Sequence, residues 1–511
     1  MRTVFLFVGV VAVCAVGVWT LSPRFDVGSP SLVDDWWAIG RSPDAASLVV
    51  RLKDPEPDRY RPGWILWSYA QWHTFDAPDR LFGPNVWNVA RLVILVLGLC
   101  LVTTLALPRP RTTREGATLA GLATLPALLV VTVPALAVDF ARFGPQEPLL
   151  VGAMALGGSL LVLATRTLFR ESPPPRAMRT GLLIVAGTAF WVLGVYQKET
   201  SICAIPFVAA VALAGRARAS SWPRLPVARR VVLGIIGAVV LLPLVHVAVE
   251  TAAIARRGRL VYDTELEGGR SALNGSWELI RLMHDDLSVL AVAATIAAVV
   301  AVAAAFVVTR AVKWLAVGAL ASGVLALLVA GQAGIVMSRY YLPTFALCAI
   351  ALSLSLAAFR PSVQAAGALV IAVLALVYVP DARNQVKRWA AGEREWGEFV
   401  RSVAEVDATG CPVAVAGFDP EASQAIPVLV SAKRRGAPGS CANRETYLVV
   451  GPNTTGAALL QACRTEALDA IRDWPSGSVY RCDHLGSEPV QDPELGAVGP
   501  DALVDRRRLP A

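Results

Sequence analysis

Apolar stretches close to the length of a bilayer crossing recur from residue 3 to residue 379. A hydrocarbon core takes roughly 20 helical residues to cross. Hydropathy therefore sets spans at 3–21, 88–107, 117–138, 147–165, 180–197, 200–215, 230–249, 287–309, 314–337, 341–359 and 363–379. The expected fold is an α-helical polytopic membrane protein of about eleven transmembrane helices. Composition agrees, because only 17% of the residues are charged, against about a quarter in soluble domains.

The loops set an orientation. Arg109, Arg111 and Arg114 follow the second span; Arg166, Arg170, Arg176 and Arg179 follow the fourth. Arg216, Arg218, Arg224, Arg229 and Arg230 follow the sixth, Arg310 and Lys313 the eighth, and Arg360 the tenth. Every second loop is basic, which assigns those loops to the cytoplasm and the others to the outer face. The net charge of +8 is then an orientation signal, and no nucleic-acid partner is expected. Arg2 before an apolar run also suits a signal peptide, but no small-residue cleavage site precedes Ser22-Pro23, so a retained first helix is expected.

The eight cysteines divide evenly. Cys14, Cys100, Cys203 and Cys348 fall inside apolar spans, where a thiol behaves as a small hydrophobe. Cys411, Cys441, Cys463 and Cys482 fall in the polar C-terminal region. An outward-facing region with four cysteines points to two disulfides, with three possible connectivities.

Three regions follow: a transmembrane domain over 1–379, an extracytoplasmic α/β domain over 380–485, and a tail over 486–511 read as disordered. Within the first, an outer loop at 22–87 carries Asp34-Asp35-Trp36-Trp37 and then the aromatic run Trp64, Trp67, Tyr69, Trp72 and Phe75. That run reads as a helix in the membrane interface. In the C-terminal region helices near 389–406, 421–434 and 456–468 alternate with strands at 412–418 and 446–451.

Glycosyl transfer from a lipid-phosphate sugar needs a carboxylate to take the acceptor proton, positive charge on the leaving phosphate, and a lipid-accessible cleft. Asp34 or Asp35 can supply the base; Arg61, Lys198 and Arg339, each expected near an outer helix end, can supply the cations. Lys198-Glu199 is squeezed between two apolar spans, a position where charges face a bundle interior or close a tight turn as a local ion pair. A snorkelling Arg339 with interfacial tyrosines is the simpler reading of Arg339-Tyr340-Tyr341. Asp139, Arg142 and Glu147 sit together in one outer turn. With Glu199, Asp139 and Glu147 are candidates for orienting substrate or for holding Mg²⁺ or Mn²⁺ through oxygen ligands. The four histidines are scattered and read as structural.

Leu-Val-Asp34-Asp35-Trp-Trp, Tyr60-Arg61-Pro62-Gly-Trp and Leu-Phe82-Gly83-Pro-Asn85-Val-Trp-Asn88 together resemble the first outer loop of C-type glycosyltransferases. That superfamily includes protein O-mannosyltransferases and bacterial aminoarabinose transferases. Phe-Gly-Pro-Gln-Glu147-Pro and Gln-Lys198-Glu199-Thr resemble further elements of these enzymes in the same order. The resemblance covers roughly residues 1–345. It implies a first-loop acid, Asp34 or Asp35, as catalytic base, a second-loop acid at Asp139 or Glu147, and a polyprenyl-phosphate sugar as donor.

The function expected is an inverting membrane glycosyltransferase moving a sugar to a cell-envelope glycan, lipid or protein on the outer face of the plasma membrane. A transporter or flippase of lipid-linked sugar, or a non-catalytic envelope-assembly subunit, are the alternatives. The acids cluster at one surface and no repeat halves are evident, which argues against a transporter.

Overall fold

The computed structural model of the chain describes residues 2–25, 45–53, 61–75, 85–141, 146–169, 177–215, 225–256, 272–285, 289–309, 314–332 and 338–406, and six short strands beyond them. Ten helices among these are long and apolar enough to cross a bilayer. In hydrocarbon only a helix satisfies its backbone groups internally, and the chain is a polytopic helical membrane protein.

In order, the helices are α1 (Arg2–Leu21), α2 (Ala45–Lys53), α3 (Pro62–Phe75), α4 (Asn85–Ala106), α5 (Thr113–Thr132), α6 (Pro134–Ala141), α7 (Glu147–Leu168) and α8 (Ala177–Val195). There follow α9 (Ile205–Gly215), α10 (Val227–Arg256), α11 (Ala272–Asp285), α12 (Val289–Thr309), α13 (Trp314–Gln332), α14 (Ser338–Leu356), α15 (Pro361–Val377) and α16 (Val379–Val406). The aromatic run of the first outer loop is helical, as α3.

The third expected span is two helices. Val133 is extended (φ −73°, ψ 119°) because a residue preceding proline is pushed out of the helical region, and Pro134 then starts α6. The sixth expected span is shorter than the others. A 3-10 stretch, Glu199–Ala204, runs directly into the 11-residue α9. Laid end to end they cover about 28 Å, from rises of about 2.0 and 1.5 Å per residue.

The last expected span continues further than hydropathy indicates. Helix α16 begins at Val379, not near 389. Ala382, Val386 and Ala390, four residues apart, are all buried, and α16 packs against α6. The 3-10 turn Ser22–Arg24 meets the same helix: Arg24 lies 5.2 Å from the Trp389 ring centroid.

Small residues bring the helices close, as packing in lipid requires. A Cβ on Gly98 of α4 would fall 2.4 Å from the Gly152 carbonyl of α7, so only glycine fits there. Helix α14 is the most enclosed, with Tyr341, Leu342 and Phe345 fully buried. Cys14, Cys100, Cys203 and Cys348 are free thiols in apolar surroundings.

Beyond α16 the described residues form a four-stranded sheet of order β1-β2-β4-β3. Its strands are β1 (Val413–Ala416), β2 (Thr446–Val450), β3 (Ala470–Trp474) and β4 (Gly477–Cys482). β1 and β2 are parallel and coincide with the two expected strands; β4 is antiparallel to both its neighbours. The helices expected near 421–434 and 456–468 lie outside the described residues, as do Cys411, Cys441 and Cys463. Cys482 ends β4. The tail read as disordered carries a short antiparallel pair, β5 (Val490–Asp492) with β6 (Gly496–Val498).

Candidate functional site

Four elements that are far apart in sequence bring charge to one end of the bundle. Arg61 immediately precedes α3, Glu147 starts α7, Lys198 and Glu199 lead into α9, and Arg339 and Tyr340 open α14. Lys198 pairs with Glu147, both side chains at most 3% exposed. Arg61 Nε donates to both carboxylate oxygens of Glu199, at 2.9 and 3.1 Å. The Lys198 ammonium also sits 3.6 Å from the Tyr340 ring centroid, and the Arg339 guanidinium lies 5.3 Å from the same ring. Cations and aromatic faces attract most strongly when desolvated.

Lys198 and Glu199 thus each pair with a residue of another element. Lys198 is extended (φ −162°, ψ 151°), so adjacent side chains diverge and each finds a carboxylate or guanidinium on another helix. The turn is also tied to α3: Gly63 N donates to the Tyr196 carbonyl at 2.9 Å. A Cβ on Gly63 would meet that carbonyl at 2.9 Å and the Leu193 oxygen at 2.8 Å. On its other side Tyr196 OH shares a hydrogen bond with His246 Nδ1 of α10 (2.9 Å).

Glu147 Oε2 is buried without a hydrogen-bond partner. A buried acceptor left in this state costs about 1–3 kcal/mol, and a ligand hydroxyl placed there removes the cost. Beside the cluster, the Thr200 and Ser201 hydroxyl oxygens are also buried without a partner.

Those two hydroxyls line one end of an apolar cavity of about 800 Å³. Leu150, three residues beyond Glu147, and Pro343, three beyond Tyr340, line it as well. The wall then follows α7 from Leu150 to Phe169, about 28 Å at 1.5 Å per residue. Among the described residues, the charged side chain that lines the cavity is Arg166, at the far end, where its guanidinium donates to the Leu105 carbonyl at 2.8 Å. An apolar slot as long as the bilayer is thick, with hydroxyls beside the charged cluster at its other end, suits an amphiphile with a polar head and one long chain.

A second polar group is buried in the same bundle. Helix α6 ends with its last carbonyls turned toward two buried arginines and an asparagine. Arg24 Nε donates to Ala141 O (3.0 Å), Asn88 Nδ2 to the same oxygen (3.2 Å), and Arg91 Nη2 to Phe140 O (3.2 Å) and Asn88 Oδ1 (2.8 Å). The last carbonyls of a helix carry partial negative charge and lack internal donors, so this is a C-terminal cap made of cations. Asp139, buried at 2% exposure, belongs to α6. Sequence reading passed over Arg24 and Arg91. The available signal was Arg91 itself, a charge just inside an apolar span, which in a membrane protein faces the protein interior.

Of the expected site residues, Arg61, Glu147, Lys198, Glu199 and Arg339 come together; Asp34, Asp35 and Arg142 lie outside the described residues. Among the described residues no three His, Cys, Asp or Glu side chains gather as a metal site needs; Glu147 and Glu199 accept from Lys198 and Arg61 instead. Comparison of the chain with protein-family models, with curated proteins and with solved structures gives no significant match.

Proposed function

We propose that the chain is an inverting membrane glycosyltransferase that uses a polyprenyl-phosphate sugar as donor and a cell-envelope glycan, lipid or protein as acceptor. The observation that carries this reading is a buried cationic cluster whose chain neighbours, Leu150, Thr200, Ser201 and Pro343, line a bilayer-long apolar cavity. The cavity holds the isoprenoid chain, and the cluster holds the phosphate.

In the reaction, a carboxylate of Asp34 or Asp35 takes the acceptor hydroxyl proton as its oxygen attacks the anomeric carbon. The bond from that carbon to the phosphate oxygen breaks, the phosphate leaves with the electron pair, and the configuration inverts. Arg61, Lys198 and Arg339 stabilise the charge gathering on the phosphate. Glu147 orients a sugar hydroxyl through its unpartnered oxygen. Thr200 and Ser201 donate to phosphate oxygens.

The topology that suits this chemistry puts the cluster, Asp34 and Asp35 on the outer face of the plasma membrane. Basic loops alternate as required if residues 199–215 cross the bilayer, and about 28 Å of combined length is enough for a core of about 30 Å. The sheet after α16 then forms an extracytoplasmic α/β domain, where Cys411, Cys441, Cys463 and Cys482 form two disulfides.

Asp34→Asn and Asp35→Asn, assayed separately for sugar transfer in membranes, test the reading. General-base loss lowers the rate by about 10²–10⁴-fold, and one of the two variants should show it. Full transfer by both variants rules the assignment out. A carrier of lipid-linked sugar is the second reading, because the cavity runs the length of α7; label crossing a vesicle membrane without product formation favours it.

A further inference from the structure

Among the described residues, the cavity wall reaches the bundle surface on two helices. Gly237 and Leu241 of α10, and Ala212 and Ala214 of α9, line the cavity and are exposed at the same time. These helices follow each other in the chain: α9 packs on α13, α10 packs on α8 and α7, and both touch the 3-10 stretch Glu199–Ala204 that leads into α9. The Trp191 indole N–H of α8 donates to Val240 O at 3.2 Å and fixes α10 on that side, while Gly237 and Leu241 stay exposed. Both helices are apolar throughout this stretch, so hydrocarbon is what meets the opening.

We propose that a lipid chain enters the cavity sideways from the bilayer, through a portal between α9 and α10 whose threshold is Gly237. The occupant is the hydrocarbon chain of an isoprenoid phosphate, a choice that rests on the glycosyltransferase reading and on the Thr200 and Ser201 hydroxyls, next in the chain to the Lys198-Glu199 pair, at one end of a single bilayer-long slot. The head then slides along the membrane surface to Lys198 and Arg339 while the chain moves between the helices. A substrate loaded in this way never leaves the membrane.

Glycine suits a threshold because nothing occupies the passage. A Cβ on Gly237 would meet no atom within 4 Å. Gly234, one turn earlier on the same helix, is equally open but does not line the cavity. The pair gives a matched test in which neither added Cβ meets a neighbour.

The test uses the full chain in lipid nanodiscs containing polyprenyl phosphate without sugar, with retained lipid counted by native mass spectrometry. Gly237→Trp should lower loading by at least about tenfold, the effect of excluding two or more methylenes from the cavity. Gly234→Trp should load as the parent does, and both variants should keep the parent melting temperature. Equal loading by Gly237→Trp and the parent overturns the proposal. So does equal loss in both variants, or retention of two-chain phosphatidic acid in place of the isoprenoid. No sugar transfer is measured, so loss of transfer in Asp34→Asn or Asp35→Asn and loss of loading in Gly237→Trp report on separate claims.

Discussion

Removing the carboxylate from Glu147 while leaving Lys198 in place tests the centre of the cluster. Both side chains are at most 3% exposed, so solvent does little to screen them. Breaking a buried pair by deleting one partner costs about 3–5 kcal/mol, because an uncompensated charge is left behind. The Tyr340 face, 3.6 Å from the ammonium, recovers about 2 kcal/mol at most. With that recovery, Glu147→Gln should destabilise by roughly 1–3 kcal/mol net. Lys198→Met should cost about 2–4 kcal/mol, since Glu147 then keeps only the charge of Arg339. The double variant removes both charges and should cost much less than the sum, with a coupling of at least about 2 kcal/mol. Equilibrium unfolding of the four proteins in mixed detergent micelles gives the cycle. Additive single and double variants would refute the reasoning, since they would mean the two charges do not stabilise each other.

Other perturbations follow from the same geometry. Arg61→Lys should restore part of what Arg61→Ala loses, because one guanidinium nitrogen makes both contacts to Glu199 and an ammonium can share that role, though Nζ lies one bond further out than Nε; thermal melts should fall by the equivalent of about 1.5–3 kcal/mol in Arg61→Ala and by less in Arg61→Lys. Gly63→Ala forces a methyl against the Leu193 and Tyr196 backbone, and hydrogen exchange over 62–75 should rise as about 1–3 kcal/mol of docking is lost. Gly98→Ala should lower stability through its clash with Gly152. Gly121→Ala, in open space on α5, should instead raise it by about 0.5–1 kcal/mol through helix propensity, as read from the melting temperature.

The membrane helices were legible because a crossing segment must be apolar over its whole length, and that demand is local. The break at Pro134 was also written locally, since proline restricts the residue before it, yet hydropathy averages over it. The early start of α16 was hidden by its polar residues; the signal was the four-residue spacing of Ala382, Val386 and Ala390, all buried. Ion-pair partners were harder. Lys198 and Glu199 are adjacent, and a local pair was a fair expectation, but their partners Glu147 and Arg61 lie 51 and 138 residues away. Only the assembled bundle selects them. Thr200, Ser201 and Gly237 could not have been singled out from sequence, because an unpartnered hydroxyl and an open glycine are defined by what surrounds them.

Reconstituted transfer tests the central claim most directly. Purified protein is placed in vesicles holding a polyprenyl-phosphate sugar labelled in the sugar, and envelope acceptor is added outside. The account predicts that label leaves the lipid and appears in a product of inverted anomeric configuration, with loss of that product in Lys198→Met. Label that crosses the membrane while still attached to its lipid, with no product formed, would contradict it.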